Sequence, residues 1–530
     1  MRSPRIALAL AAGLVAVLLA CPVPVLDEES YLDIGRQLDP LHPYDWWRPW
    51  QPWGLSRPDD AFVYAHPPLF LLWVRAWLGQ AGDGVAVGAI KAAAALPWAM
   101  LLGWSAGRLC ERLARRPWQA AAVWLTAPIT ILGMQRGLMP DLMVTSLGAV
   151  VIVSWLEALG TQGPIRTRWL LMAGVGMGMA ALTKYPALVL LLPVLAHARA
   201  LGRRRDAAVV TAAFAVVFLV GEGGLWLTYG RVHVLEVLAR SSEIGRGPPA
   251  GRTLGALARL GLLSVSALPL LLLPWARAWL PALVTGGLLS LLGCPAGTPP
   301  LERLLMGLLG GVGAHLLWRA VAGLRASPER AAPADPDDTL LSVWALAVIG
   351  AVVVGHNYAA PRYLMPAMVP LALLIGRQVE RRLDATLALT LGTLLQAGLG
   401  LGLTVAEHRF AEAQVAAADA AIAAAKDAGM ETPGHFSGEW SFRWRMEQRG
   451  WSWWGGQQLP PGTAVVSATE AGPRALPPTW VERGRFGRGR FGLRVLDAAA
   501  GVALYSETAG TLPVGWSGGL LEEAVLWQTE

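Results

Sequence analysis

Residues 138–159 read LMPDLMVTSLGAVVIVSWLEAL: an acid near the start, then an apolar run broken only by small hydroxyl side chains until Glu157. About 20 such residues are what a helix needs to cross a hydrocarbon core roughly 30 Å thick. Comparable runs recur from Ile6 to Val405, so lipid is the solvent for most of the chain. Bulk composition agrees. Of 530 residues, 54% are hydrophobic and 15% charged, with mean hydropathy +0.44, whereas soluble domains carry about 25% charged residues.

The formal charge of +7 does not point to a nucleic acid, because the arginines lie in short loops between apolar runs rather than along one face. They read as topology signals. Cys21, Cys110 and Cys294 are far apart and show no CxxC or Cys/His spacing, which indicates neither a disulfide framework nor a zinc site. The N-terminus reads either as a signal peptide ending at Leu18-Leu19-Ala20-Cys21 or, in preference, as a first membrane anchor, since a long polytopic segment follows. In both readings Asp27 falls outside.

Lys and Arg favour cytoplasmic loops, and placing Arg2 and Arg5 inside makes residues 6–24 the first span and 25–84 a long outer segment. Residues 66–79, which open with His66-Pro67-Pro68, are short enough to read as an interfacial helix. Spans are then expected near 85–109, 117–134, 138–159, 169–183, 185–200, 207–228, 254–274, 276–293, 302–323, 340–358, 362–377 and 384–405. This parity keeps Arg108, Arg112, Arg115, Arg116, Arg166, Arg168, the triplet Arg203-Arg204-Arg205, Arg325, Arg330, Arg377, Arg381 and Arg382 inside. The expected fold is thus an all-α polytopic membrane domain, residues 1–405, with about thirteen helices of bilayer length.

An odd span number puts residues 406–530 outside, where the composition becomes that of a small soluble α/β domain. Within it 406–428 reads as an Ala-rich helix, and Thr463–Ala468, Phe491–Asp497 and Val502–Ser506 read as short strands between Gly/Pro turns.

Ionisable residues at membrane depth are costly and therefore mark candidate sites. The parity delivers Asp27, Glu28, Glu29, His66, Asp141, Lys184 and Arg362-Tyr363 to one side. Each has a plainer reading. Asp27 and Glu28 also read as a solvated juxtamembrane cluster, Asp141 as a helix-start residue, Lys184 as a snorkelling lysine, Arg362 as a helix-end anchor, and His66 as a turn before proline. Trp46, Trp47, Trp50 and Trp53 suit an interfacial aromatic belt as well as a sugar. Together, however, acids, cations and a histidine at the outer ends of different spans supply what transfer from a lipid phosphate requires.

The order of these motifs carries a resemblance. Asp27-Glu28 with Tyr31 and Arg36, then His66-Pro67-Pro68-Leu69, Leu138-Met139-Pro140-Asp141, Leu182-Thr183-Lys184 and Arg362-Tyr363-Leu364-Met365-Pro366 resemble the GT-C glycosyltransferases. The nearest branches are the protein O-mannosyltransferases and the aminoarabinose transferases of lipid A. The resemblance covers roughly residues 25–405 in motif order, and Gly438-Glu439-Trp440-Ser441-Phe442-Arg443 is similar to the soluble domains of bacterial members. It implies catalytic roles for Asp27, with Glu28 beside it, and for Asp141. Donor phosphate would be bound by Arg362, Lys184 and Tyr363, and His66 and Tyr31 would position substrate. His66 stands where the aminoarabinose transferases carry lysine, so the sugar is not implied.

The expected reaction is inverting hexosyl or pentosyl transfer from a polyprenyl-phosphate sugar to a hydroxyl of lipid, glycan or protein, at the outer face of a cell inner membrane. Its logic requires no metal. A transporter or flippase of a lipid-linked or small substrate is the alternative. Its signature would be intramembrane ions and broken helices, and mid-span charges such as Lys91 and Glu222 are few.

Overall fold

A computed structural model of the chain describes residues 3–46, 61–62, 66–80, 86–243, 249–271, 273, 279–292, 294, 298–325, 335–355, 360–379, 383–497, 500–505 and 512–530. Trp47, Trp50, Trp53, Arg330, Arg381 and Arg382 lie outside the described residues. Among the described residues, six helices are long and apolar enough to cross a membrane: Val87–Leu113, Pro140–Leu159, Arg204–Tyr229, Pro300–Ala322, Pro336–Gly355 and Ala385–Asp427. A pair bent by 80°, Thr253–Leu263 and Val265–Leu271, makes a seventh if counted as one. The chain is a multi-pass membrane protein.

Every apolar run read as a span falls on a helix or on a broken pair of helices. The breaks have local causes. The 117–134 run splits into Pro117–Leu125 and Pro128–Gln135 because Pro128 cannot donate to the preceding turn and starts a helix well. The 185–200 run opens as a 3₁₀ turn, Tyr185–Leu190, carrying Pro186.

Ion pairs tie helix ends together. At one end Arg5 meets Glu111, Arg108 meets Glu157, Arg166 meets Asp206, and Arg377 holds Asp335 at 2.6 Å and Asp338 at 2.7 Å. These residues belong to helix ends expected on the cytoplasmic side. Asp27, Asp141, Lys184 and Arg362 occupy the opposite ends of the same helices or the loops beyond them.

Small residues let the bundle close tightly, as in membranes generally. A Cβ added at Gly261 would overlap the Leu309 carbonyl oxygen, and one at Gly313 would overlap that of Leu257, so helices Pro249–Leu263 and Pro300–Ala322 meet backbone to backbone.

The last helix runs on without a break past 405. Leu383–Asp427 is one helix of 45 residues, roughly 67 Å long. No glycine or proline interrupts it from 403 to 428, and Gly429, at φ +67°, ends it. Beyond it lies a five-stranded sheet in the order Ser452–Trp453, His435–Ser437, Ala464–Ala468, Glu522–Gln528, Val481–Arg488. The strand expected at 463–468 is present; the other two are fragments, Leu493–Arg494, Leu496–Asp497 and Val502–Ala503, in two-stranded ribbons. Val495, Val502, Leu504, Leu512 and Val514 of this ribbon region join the core of the membrane domain.

Gly261→Ala and Gly313→Ala should each destabilise the protein by about 1–3 kcal/mol, since a rigid backbone opposes the new methyl. Gly287→Ala, where an added Cβ meets nothing within 4 Å, should be neutral. Thermal unfolding in detergent compares them.

Candidate active site

The acids after the first helix stand at a forced corner. Leu26 has φ +52°, a left-handed conformation that costs a non-glycine residue roughly 1–2 kcal/mol. Helix Glu28–Gln37 begins immediately after it, with Asp27 as its N-cap residue. Successive positions on a helix turn by about 100°, so neighbouring side chains face different ways.

Asp27 caps nothing with its side chain. Its Oδ2 receives a hydrogen bond from Arg362 Nη1 at 2.9 Å, across 335 residues of sequence. Glu28 goes elsewhere. Fully buried, it pairs with the fully buried Lys91 at 2.5 Å and accepts the Val25 N–H at 2.9 Å and the Leu138 N–H at 3.2 Å. Gly137 permits this approach, because a Cβ there would overlap the Lys91 carbonyl oxygen. Glu29, also buried, accepts the Ser30 hydroxyl at 2.7 Å and lies 3.7 Å from Arg443 of the C-terminal strand domain.

Asp141 follows Pro140 at the start of helix Pro140–Leu159, where the helix dipole favours an anion. Met139 is the N-cap, with no side-chain cap bond. Asp141 instead accepts a hydrogen bond from Lys184 Nζ at 2.6 Å, both residues being buried. Burial also replaces the snorkelling reading of Lys184. That lysine closes helix Gly163–Thr183 at the break before Pro186.

Tyr363 joins the two ion pairs. Lys184 Nζ lies 4.2 Å and the Arg362 guanidinium carbon 5.2 Å from its ring centroid, and Arg362 Nη2 donates to its hydroxyl at 3.3 Å. Asp27, Arg362, Tyr363, Lys184 and Asp141 thus form one continuous polar chain drawn from four distant segments. A cavity opens on Asp141, Lys184, Arg362 and Tyr363, and its remaining wall is apolar, including Val144, Leu190, Val348 and Val352. A second recess shares Asp141 and Arg362 and adds Arg136.

His66 and Tyr31 lie in an aromatic group, their rings 5.7 Å apart, with Phe70 edge-on to Tyr31 at 5.1 Å. The Tyr44 hydroxyl donates to the His66 carbonyl oxygen at 3.0 Å, and burial pushes the Tyr44 phenol well above its ordinary range.

Sequence reasoning missed several partners. Arg136 forms a bidentate pair with Glu407 of the long helix, and both meet the hydroxyl of Tyr505 from the C-terminal strand domain. Burial drives the Tyr505 phenol upward. Lys91 and Glu222 were visible only as isolated charges. Lys91 binds Glu28, and Glu222 accepts from the Tyr185 hydroxyl at 2.5 Å and the Val234 N–H at 3.1 Å. Among the described residues no group of His, Cys, Asp and Glu is gathered to hold a metal.

No protein-family model matches the chain, and no curated protein matches it in sequence. Solved structures do. ArnT from Cupriavidus metallidurans bound to undecaprenyl phosphate aligns at 14% identity over 89% of this chain and 94% of its own, with a TM-score of 0.43. The archaeal oligosaccharyltransferase AglB from Archaeoglobus fulgidus, in complex with an inhibitory peptide and a dolichol-phosphate, aligns at 14% identity over 84% of this chain and 63% of its own, TM-score 0.45. The S. cerevisiae protein O-mannosyltransferase Pmt1-Pmt2 complex bound to the sugar donor aligns at 14% over 47% and 36%, TM-score 0.28. These are GT-C superfamily proteins. What the site can do follows from its own side chains: two cations at the polar end of an apolar cavity suit an anion with a hydrocarbon tail, and adjoining carboxylates can accept a proton.

The burial of Glu28 and Lys91 yields a direct expectation. Lys91→Met leaves a buried carboxylate without its cation and should cost about 3–5 kcal/mol, whereas Glu28→Gln with Lys91→Met should recover most of the loss. Thermal unfolding of the purified single and double variants measures both.

Proposed function

We propose that the protein is a membrane glycosyltransferase moving a sugar from a polyprenyl-phosphate donor to a hydroxyl acceptor. The observation that carries this reading is the cavity whose apolar wall ends at Lys184, Arg362 and Tyr363, with Asp27 and Asp141 on those same cations. A phosphate oxyanion takes up the charge of Arg362 and Lys184, and the prenyl chain lies along the apolar wall.

Asp27 serves as the base. The acceptor oxygen forms its bond to the anomeric carbon while its proton passes to the Asp27 carboxylate. The bond from that carbon to the phosphate oxygen breaks, and polyprenyl phosphate leaves as an anion held by the two cations. Direct displacement inverts the anomeric centre for a hexose or pentose alike. Asp141 orients donor or acceptor, while His66 and Tyr31 line the approach. Glu28, expected beside Asp27 in the chemistry, is assigned to holding the corner instead, since its oxygens serve Lys91 and two backbone N–H groups.

In this reading about thirteen helices cross a cell inner membrane, the 25–84 segment and residues 406–530 lie outside, and the arginine-rich end faces the cytoplasm. The acceptor is a lipid, glycan or protein hydroxyl.

Asp27 and the donor compete for Arg362. Phosphate binding to Arg362 therefore releases the carboxylate that must act as base. Asp27→Asn should abolish transfer of radiolabelled sugar from polyprenyl phosphate, by about 100-fold or more, yet bind polyprenyl phosphate several-fold more tightly than wild type because the competing charge is gone. Arg362→Gln should weaken that binding by roughly tenfold or more. Transfer that survives Asp27→Asn removes the base assignment, and vesicle accumulation of substrate by that variant favours the transporter.

A further inference from the structure

Helix Trp440–Gln448 of the soluble domain lies against the corner that carries Asp27. Two non-glycine residues among those described have positive φ: Leu26, at +52°, and Trp440, at +61°. Leu26 and Trp440 belong to one apolar cluster, in which Trp440 also meets Phe410 of the long helix, their ring centroids 6.2 Å apart. Both left-handed residues thus sit where the soluble domain and the catalytic corner join, and such conformations persist only where surrounding contacts determine them.

Contacts fall on both sides of Asp27. Before it, the Ser441 hydroxyl donates to the Pro24 carbonyl oxygen at 2.5 Å, and both sides of that bond are buried. After it, Arg443 stands 3.7 Å from Glu29. Arg443 is itself fixed along its own helix, with Nη1 donating to Glu439 at 3.2 Å and Nε donating to Glu447 at 2.7 Å. The guanidinium is 2% exposed, so it is a built part of the interface rather than a surface charge.

We propose that helix Trp440–Gln448 is the positioning element for the base: Ser441 and Arg443 grip the chain at Pro24 and Glu29 and hold the intervening Asp27 against Arg362. Neither residue touches substrate in this scheme. The proposal rests on the glycosyltransferase reading and gives the soluble domain a part in the chemical step itself. A sub-ångström shift of a base is felt in the rate of the step far more than in ground-state binding.

The test uses the full-length protein in detergent, with polyprenyl-phosphate sugar as donor and the acceptor that wild type uses. Arg443→Gln should lower kcat about tenfold or more without raising the KM for donor, Ser441→Ala about threefold, and Arg443→Lys should retain an intermediate rate. Arg445→Gln is the control. It breaks the 2.8 Å pair that ties the same helix to Asp419 but touches neither Pro24 nor Glu29, and it should leave kcat unchanged. If Arg443→Gln does not fold, Ser441→Ala and Glu29→Gln decide the matter by the same split. Wild-type kcat in the folded variants overturns the proposal, as does an equal loss in Arg445→Gln or a rise in KM with kcat intact. Polyprenyl phosphate binding separates the two ideas: a wild-type protein that transfers no sugar sinks the function, whereas the positioning role still requires Arg443→Gln to bind the lipid phosphate at least as tightly as wild type.

Discussion

Three adjacent carboxylates each hold a cation from a different part of the molecule. Glu28 takes Lys91 of an early helix and also the N–H of Leu138, Asp27 takes Arg362 of a late helix, and Glu29 faces Arg443 of the C-terminal strand domain. Buried charges are costly without partners and gain their value mainly by excluding other arrangements. Because the acids are consecutive at a helix start, slipping the chain by one residue would misplace all of them together. The left-handed Leu26 sets the direction in which the helix leaves the first span, and from there the early bundle, the late bundle and the sheet take their places.

The second consequence is electrostatic. A site built to receive an anion in a low-dielectric setting cannot keep bare cations, since their desolvation would oppose folding. Here the charges are stored as neutral pairs, Asp27 with Arg362 and Asp141 with Lys184, bridged by the Tyr363 ring. Exchange of one anion for another then leaves the buried charge nearly balanced.

Much of this was legible in the chain because it depends on local properties. Span length and loop charge each need only a window of residues, and the long apolar helices fall where those windows put them. Pairing is not local. Nothing near Glu28 names Lys91 as its partner, and because adjacent residues on a helix do not share a face, Asp27 and Glu28 meet different cations. The change of composition at 406 falls inside one continuous helix, because alanine propagates a helix whatever surrounds it. Strand Val481–Arg488 escaped notice because, as an edge strand half open to water, it shows no apolar alternation. Arg443 lay inside a motif that the resemblance picked out, but only the folded structure brings it to Glu29.

The helix Leu383–Asp427 makes the C-terminal strand domain something other than a tethered appendage. Gln396, inside the bundle, donates to the Val123 carbonyl oxygen at 2.7 Å, Glu407 grips Arg136, and the far end of the same helix lies under the sheet, where Ala417, Ala421 and Ala425 enter its core. With no glycine or proline between 403 and 428, the connection has no hinge. A load applied to the sheet is therefore carried as tilt of a stiff shaft directly to the turn that precedes Asp141.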